Sequence, residues 1–253
     1  MLPQPFALTE DCHEQIWQVN YLSHALLVEL LLPVLERSSG RVVLVSSLVH
    51  HFGYKGGIRW EAVDSPVGYV PWKAYSQSKL ALLLHARALG AFTASTATAV
   101  LLTPARASSP AADVTLASRG SHVVVHAVHP GAVPTRGAAA AEAHTGAAGS
   151  CLSALGGRFH RTVAQGAASI VFAAASRQLA SGRGAFICNA NKADGHASAA
   201  ARNQLLAFRL YDFGREAIGC GSTPAAATST SDALPVSVDA GQQTPPPGPP
   251  AES

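Results

Sequence analysis

The stretch AYSQSKLALLLHARAL, residues 74–89, places a tyrosine and a lysine four positions apart at the start of an apolar, helix-like run. Residues with that spacing share one face of a helix. A phenol normally ionises at about pH 10, and a nearby ammonium group favours the phenolate and lowers that pKa. Tyr75 and Lys79 could therefore exchange a proton with an alcohol or carbonyl oxygen. The same pair could also be an ordinary surface tyrosine and lysine, because the spacing alone is a weak signal.

The ends of two predicted strands supply the second group of candidates. The segment RVVLVSS, 41–47, runs from four apolar residues into two serines, and SHVVVHAVHPG, 121–131, ends in Pro-Gly. Continuous apolar runs are typical of strands that are buried on both faces of a parallel sheet. Chemistry in such sheets lies at the carboxyl ends of the strands. A serine hydroxyl at one of these ends could hold a substrate oxygen by hydrogen bonding.

Helical segments alternate with the strands along the chain. The predicted helices cover about 9–35, 70–90, 161–176 and 197–219, and a third, short strand covers 183–189. Thr9 stands at the start of the first helix, where its side-chain oxygen would accept a hydrogen bond from an unpaired backbone amide. Alternation of helices and strands predicts an α/β fold, with a mostly parallel sheet that carries helices on both faces.

Composition divides the chain into one domain, an insertion and a tail. We assign residues 1–219 to the domain and interpret residues 91–120, rich in Ala, Ser and Thr, as a long insertion or disordered loop. Residues 220–253 are rich in Pro and Ser, which is typical of a disordered tail.

Charge and cysteine usage argue against several classes of protein. The net charge is +3, and the basic residues are scattered, so we predict no nucleic-acid partner. The four cysteines show no Cys-x-x-Cys spacing, and the histidines complete no zinc pattern, so we predict no metal and free thiols in the reducing cytoplasm. The most apolar run, ALLVELLLPVL at 25–35, is shorter than a bilayer span, and no membrane contact is indicated.

Several motifs occur in the order in which one enzyme family carries them. LTEDCHEQIWQVNYLSHALLVELLLPVL contains Asn20, GRVVLVSSLVHHFG contains Ser47, and YSQSK spans Tyr75 to Lys79. VHAVHPGAVPT follows and contains Thr135. Over about 8–90 and 121–218 these motifs resemble the short-chain dehydrogenase/reductase family, in particular its retinol-dehydrogenase-like and WW-domain-oxidoreductase-like branch.

The resemblance implies a Rossmann-type doubly wound sheet and an NAD(P)-dependent oxidoreductase that interconverts an alcohol and a carbonyl on a lipophilic small molecule. It implies that Tyr75 is the general acid/base, that Lys79 lowers the pKa of Tyr75 and holds the nicotinamide ribose, and that Ser47 orients the substrate oxygen. Asn20 would hold a water in a proton relay. The implied contacts to NAD or NADP come from Tyr75, Lys79, Pro130, Gly131, Val133 and Thr135. Taken singly, Asn20, Ser47 and Thr135 could instead be a helix-kink residue, a strand end and a helix cap.

The residues that resemble the family do not include its N-terminal cofactor-binding segment. The family begins with a strand, a glycine-rich turn and a helix that receive the cofactor's pyrophosphate, whereas no glycine here precedes Gly40. The sequence therefore predicts a partial Rossmann-type sheet and weak or absent NAD(P) binding. The strand RVVLV would expose an apolar edge through which the protein could self-associate. Two functions stay open: an oxidoreductase, or a truncated and inactive member that acts as a binding protein.

Overall fold

A sheet of four strands, in the order β1-β2-β3-β4, lies at the centre of the part of the chain that the structure describes. The structure is a computed structural model, and it describes residues 2–94, 122–133, 161–181 and 183–219. The strands are β1 (Arg41–Val45), β2 (Val124–His129), β3 (Ala185–Cys188) and β4 (Asn191–Lys192). The β1–β2 and β2–β3 pairs are parallel, and β4 turns back antiparallel to β3. This confirms the α/β class and the mostly parallel sheet.

The helices lie against both faces of the sheet. They are α1 (Gln15–Arg37), α2 (Pro71–Ala94), α3 (Val163–Ala175), α4 (Ala199–Arg202) and α5 (Gln204–Ala217). One core joins α1, α2 and α5 to the sheet face that carries Val42 and Leu44, while Val43 contacts a second core under α3. Alternate residues of β1 thus face opposite layers, which explains why the four residues after Arg41 are all apolar.

The first helix begins later than its sequence predicts, and a different residue caps it. Thr9 bonds within a turn, where its Oγ1 accepts from the His13 backbone amide at 3.3 Å. The cap of α1 is Glu14, whose carboxylate accepts from the Ile16 and Trp17 amides at 2.9 and 2.7 Å. A carboxylate at this position satisfies unpaired amides and opposes the positive end of the helix dipole.

Two other helix boundaries differ from the prediction, and one strand was not predicted. Helix α2 continues past Gly90 to Ala94, because Leu89 and Phe92 remain in the core. The predicted helix 197–219 is two helices, since Asn203 leaves helical geometry and caps α5 by accepting from Leu206. The short strand β4 has no sequence signal, because two residues cannot show alternation.

Two predicted regions fall largely outside the described residues. The structure describes residues 91–94 of the insertion predicted at 91–120, as the last turn of α2, and none of the tail predicted at 220–253. All described residues belong to one unit, Met1–Thr223.

The outer side of the sheet at β1 carries no paired strand among the described residues, where β1 bonds to β2 alone. Helix α1 buries Ala25, Val28 and Leu32 but exposes several large apolar side chains, namely Leu26, Leu27, Leu30, Leu31 and Val34. The apolar run at 25–35 therefore lies in a 23-residue helix, longer than the run itself. By length and composition alone this helix could cross a membrane, although one of its faces packs into the core.

Candidate active site

Helix α2 places Tyr75 and Lys79 together, as the four-residue spacing predicts. Both side chains are half-buried, and the Lys79 ammonium lies 5.7 Å from the centre of the Tyr75 ring. After this pair, α2 continues with a series of buried apolar residues, namely Leu80, Ala81, Leu82, Leu83 and Leu84. Tyr75 and Lys79 therefore lie where α2 enters the buried core and not on a fully exposed helix surface.

Two hydrogen bonds fasten the carboxyl end of β1 to the same turn of α2. The Lys79 ammonium donates to the carbonyl oxygen of Val45, the last residue of β1, at 3.1 Å. The Ser46 hydroxyl donates to the Lys79 carbonyl oxygen at 2.6 Å. Side chain and backbone of one lysine thus contact successive residues of the strand end, which brings the two predicted groups of candidates into one place.

Ser46 and Ser47 have different surroundings. Ser46 is buried, and its hydroxyl is used in the bond to α2. Ser47 is half-buried and begins a short 3-10 turn, Leu48–Phe52, where its Oγ accepts from the Val49 amide at 3.3 Å. An oxygen that accepts one weak bond still has its hydrogen to donate, so Ser47 is the serine suited to hold a substrate oxygen.

Asn20 lies in a π-helical turn, Gln18–Leu22, within α1. Such turns are rare and often occur at functional sites. The Asn20 amide nitrogen donates to the Ser78 hydroxyl at 3.0 Å, and that hydroxyl donates to the Tyr75 carbonyl oxygen at 2.8 Å. The buried asparagine is thereby linked through Ser78 to the backbone of the tyrosine.

Burial, and not the lysine charge, dominates the electrostatics of the pair. Burial raises the pKa of Tyr75 to about 12, and burial lowers the pKa of the Lys79 ammonium. The sequence predicts the opposite direction for Tyr75. Loss of solvent destabilises the phenolate, so burial sets the direction of the shift, and the lowering that the sequence predicts from Lys79 stays a prediction. Near neutral pH Tyr75 therefore keeps its proton and is placed to act as an acid.

The turn after β2 packs tightly on the segment that begins α3. Gly131 has a positive φ of 93°, and a side chain there would collide with Arg161. The Ala132 carbonyl accepts from the Arg161 amide at 2.8 Å, and Val133 fills the space above Gly166 in the first turn of α3. Because β1 and β2 are adjacent and parallel, this turn lies at the same edge of the sheet as Ser46 and Ser47.

Of the residues that the sequence predicts for the site, Asn20 lies on α1 and Ser47 follows β1. Tyr75 and Lys79 lie on α2. Pro130, Gly131 and Val133 lie in the turn after β2, and Thr135 lies outside the described residues. Sequence reasoning did not single out Ser78 or His50 as residues that hold the site in place. A serine inside an apolar helix is a signal that could have pointed to Ser78, since such hydroxyls bond to a preceding carbonyl. His50 has no comparable local signal, because one of its two partners is far along the chain.

The residues present fit one end of a nicotinamide cofactor. Tyr75, Lys79 and the glycine-containing turn after β2 stand together at the carboxyl edge of the sheet, where such cofactors bind in doubly wound folds. In the ranges that the structure describes, no glycine-rich turn joins a strand to a helix in the way that receives a pyrophosphate. Among the described residues no group of three or more His, Cys, Asp and Glu side chains could hold a metal ion, and Cys12 and Cys188 are free thiols.

Comparison with curated proteins finds dehydrogenases. The chain is 30% identical over 215 residues to the chloroplastic short-chain dehydrogenase TIC 32 A of Brassica napus, which covers 83% of this chain and 58% of that protein. It is 31% identical over 224 residues to mouse polyprenol dehydrogenase, covering 86% of this chain and 57% of the relative. A shorter match, 41% identical over 86 residues, is to mouse retinol dehydrogenase 14 and covers 34% of this chain and 25% of the relative.

The chain thus spans less than three-fifths of the length of these curated relatives. No protein-family profile matches it. Among solved structures, an uncharacterized protein from Mycobacterium paratuberculosis is similar, with a TM-score of 0.55 and 26% identity over 87% of this chain and 64% of the other.

Proposed function

Because this chain belongs to the short-chain dehydrogenase/reductase family, we propose that it is an NAD(P)-dependent oxidoreductase that interconverts an alcohol and a carbonyl group. One observation carries the proposal: Lys79 and Ser46 fasten the end of β1 to the helical turn that bears Tyr75. This contact sets a proton donor beside the point where a parallel strand ends, which is where doubly wound folds hold their substrates.

Tyr75 is the proposed proton donor. Its raised pKa keeps the phenol protonated at neutral pH, so it can protonate a carbonyl oxygen as that oxygen gains charge. Lys79 carries the nearest positive charge to the ring and stabilises the phenolate that this transfer leaves behind. The nicotinamide group, when bound, supplies or accepts the hydride at the substrate carbon.

Ser47 and Asn20 have supporting roles in the proposal. The Ser47 hydroxyl donates a hydrogen bond to the substrate oxygen, which holds that oxygen for proton transfer from Tyr75. Asn20 orders the Tyr75 turn through Ser78 and holds a water that returns the proton from solvent. In the proposal Pro130, Gly131 and Val133 contact the nicotinamide, and Thr135, which lies outside the described residues, is a further expected contact.

We propose a lipophilic alcohol, aldehyde or ketone as the substrate. Relatives named for retinol and polyprenol, both long apolar alcohols, support this class. We propose weak affinity for NAD(P), because no glycine-rich turn suited to the pyrophosphate occurs among the described residues. We propose the cytoplasm, a reducing compartment, as the location of the protein.

The test is oxidation of NADH and of NADPH by the purified chain with retinal as substrate, at cofactor concentrations up to the millimolar range. Turnover that disappears in Tyr75→Phe supports the proposal. Fluorescence titration of each cofactor measures affinity separately, and a tight complex would contradict the expected weak binding. Absence of turnover at saturating cofactor would overturn the proposal.

One observation favours a second candidate function, that of a binding protein without turnover. Strand β1 pairs on one side only among the described residues, and α1 exposes several leucines. An apolar edge strand is a template for pairing with another chain. Concentration-dependent self-association without cofactor turnover would favour this second candidate.

A further inference from the structure

His50 joins two segments that are 148 residues apart. Its ring is 2% exposed and lies between the Ser47 carbonyl oxygen, 2.6 Å from Nδ1, and the Ser198 backbone nitrogen, 3.1 Å from Nε2. An edge-to-face contact with Phe186 of β3 covers the ring. The imidazole therefore bridges the turn that carries Ser47 and the residue that caps α4.

The two partners determine which nitrogen carries the proton. A carbonyl oxygen only accepts, so Nδ1 must donate to Ser47. The Ser198 amide only donates, so Nε2 must accept. The neutral ring with its hydrogen on Nδ1 satisfies both bonds, whereas a protonated ring would point an N–H at the Ser198 N–H.

Both anchors of this bridge are themselves fixed. The Ser198 hydroxyl caps α4 by accepting from Ala201 at 3.1 Å, and the Leu48 amide donates to His129 Nδ1 at 3.4 Å. Asp194, four residues before Ser198, binds Arg87 of α2 at 2.7 Å and accepts from the Phe186 amide at 3.0 Å. The bridge therefore ties the Ser47 turn to α2 and β3, which are rigid parts of the core.

We propose that His50 is a positioning residue that fixes the Ser47 turn through a neutral, Nδ1-protonated imidazole, so that the Ser47 hydroxyl is held where it can orient the substrate oxygen. The inference rests on the proposed function of Ser47. The bridge itself consists of contacts between described residues and can be measured without turnover.

The charged and titratable groups around His50 favour the neutral ring. They are His51 on the same turn, His129 on β2 with Arg161 beyond it, and Arg87 on α2, whose charge Asp194 partly balances. Burial is the main cause that lowers the pKa of His50 to about 4, with smaller contributions from His51 and Arg87. The bridge should persist at neutral pH and be lost as the pH falls towards 4.

Two substitutions separate the two ends of the bridge. Asparagine at position 50 keeps a donor near the place of Nδ1 and removes the acceptor, whereas glutamine reaches towards the place of Nε2 and loses the donor geometry to Ser47. Because each substitution breaks one end of the bridge, we expect both His50→Gln and His50→Asn to lower kcat about tenfold with little change in the KM for cofactor. His122→Gln, at an exposed position before β2, is the matched control.

Nitrogen-15 NMR of the histidine rings in the full chain provides the second readout. The expected result at pH 7 is a His50 signal of the Nδ1–H tautomer that disappears in both His50 variants and persists in His122→Gln. An Nε2–H tautomer, or equal kcat in wild type and His50→Gln, would overturn the inference. If the wild type has no turnover, the proposed function fails, and the tautomer measurement still decides whether the bridge exists.

Discussion

The carboxyl end of strand β1 and its outer edge differ in how many bonds hold them. At its carboxyl end Val45, Ser46 and Ser47 bond to Lys79, Val49 and His50, so side chains and backbone are held by partners from α2 and the following turn. Along its outer edge the strand has no paired neighbour among the described residues, and one face of α1 is apolar and exposed. The end of β1 that carries the candidate residues is therefore held by several bonds, while its outer edge is unpaired among the described residues.

This contrast teaches that a local site and a stable fold have different requirements. A polar site needs a few directed bonds at fixed distances, and one helix and one strand end can supply them. A parallel sheet needs both of its edges and both of its faces covered over a large apolar area. Function and stability should therefore respond separately to substitution at the two boundaries.

Tyr75→Phe tests the site end of the contrast and should have the largest effect. Loss of the phenolic proton donor should reduce kcat by about 10²- to 10⁴-fold, while the aromatic ring remains in place and the thermal midpoint shifts little. The matched control is Tyr54→Phe, whose hydroxyl contacts Val70 and Arg59 away from the site. Equal loss of activity in both variants would mean that Tyr75 has no special role.

Leu32→Ala and Leu30→Ala compare the two faces of α1. Leu32 is 4% exposed and Leu30 is 66% exposed on the same helix. We expect Leu32→Ala to lower the free energy of unfolding by about 2–5 kcal/mol and Leu30→Ala to change it by less than about 0.5 kcal/mol. Urea unfolding measures both. A large loss at Leu30 would show that its face is covered in solution.

His85→Leu tests how the closed core responds to pH. His85 is buried between Tyr21 and Tyr211, neither ring nitrogen has a hydrogen-bond partner among the described residues, and burial lowers its pKa from 6.5 to about 4. Between those values the unfolded chain binds a proton that the folded chain does not. The stabilising contribution is therefore present above pH 6.5 and is lost as the pH falls towards 4, by about 2 kcal/mol at pH 5.

Replacement of His85 by leucine removes that titration and the two unpaired nitrogens. The difference in unfolding free energy between pH 7 and pH 5 should decrease by about 2 kcal/mol relative to wild type. Stability at pH 7 should be unchanged or higher, because an apolar side chain suits the site. Urea unfolding at both pH values checks this, and an unchanged pH difference would contradict the neutral buried histidine.

Val45→Lys tests the open edge and should have the smallest effect on stability, about 0.5 kcal/mol or less. The Val45 side chain is 38% exposed, and its carbonyl bond to Lys79 uses only the backbone. A lysine on an edge strand discourages pairing with another chain. Sedimentation velocity should show less self-association than in wild type and in the control Val45→Ile. No change in association would mean that the edge is not the contact.

Much of the fold could be predicted from the sequence because its signals are local. Four consecutive apolar residues predict a buried strand at β1, and the period of apolar residues predicts α1 and α3. Boundaries were less predictable: Glu14 rather than Thr9 caps α1, and Asn203 divides the last helix. A capping residue is determined by which amides its side chain reaches, and several nearby polar residues are equally plausible from sequence.

The sequence by itself already indicated the family and the candidate site residues, because the Tyr-x-x-x-Lys spacing, the serine after a strand and the Pro-Gly turn follow from neighbours along the chain. Only the tertiary structure decided that burial raises the pKa of Tyr75. It also decided that Lys79 donates a hydrogen bond to the end of β1 and that His50 accepts one from Ser198. Those properties depend on solvent access and on contacts between distant segments. Neither can be derived from the order of residues until the chain is folded.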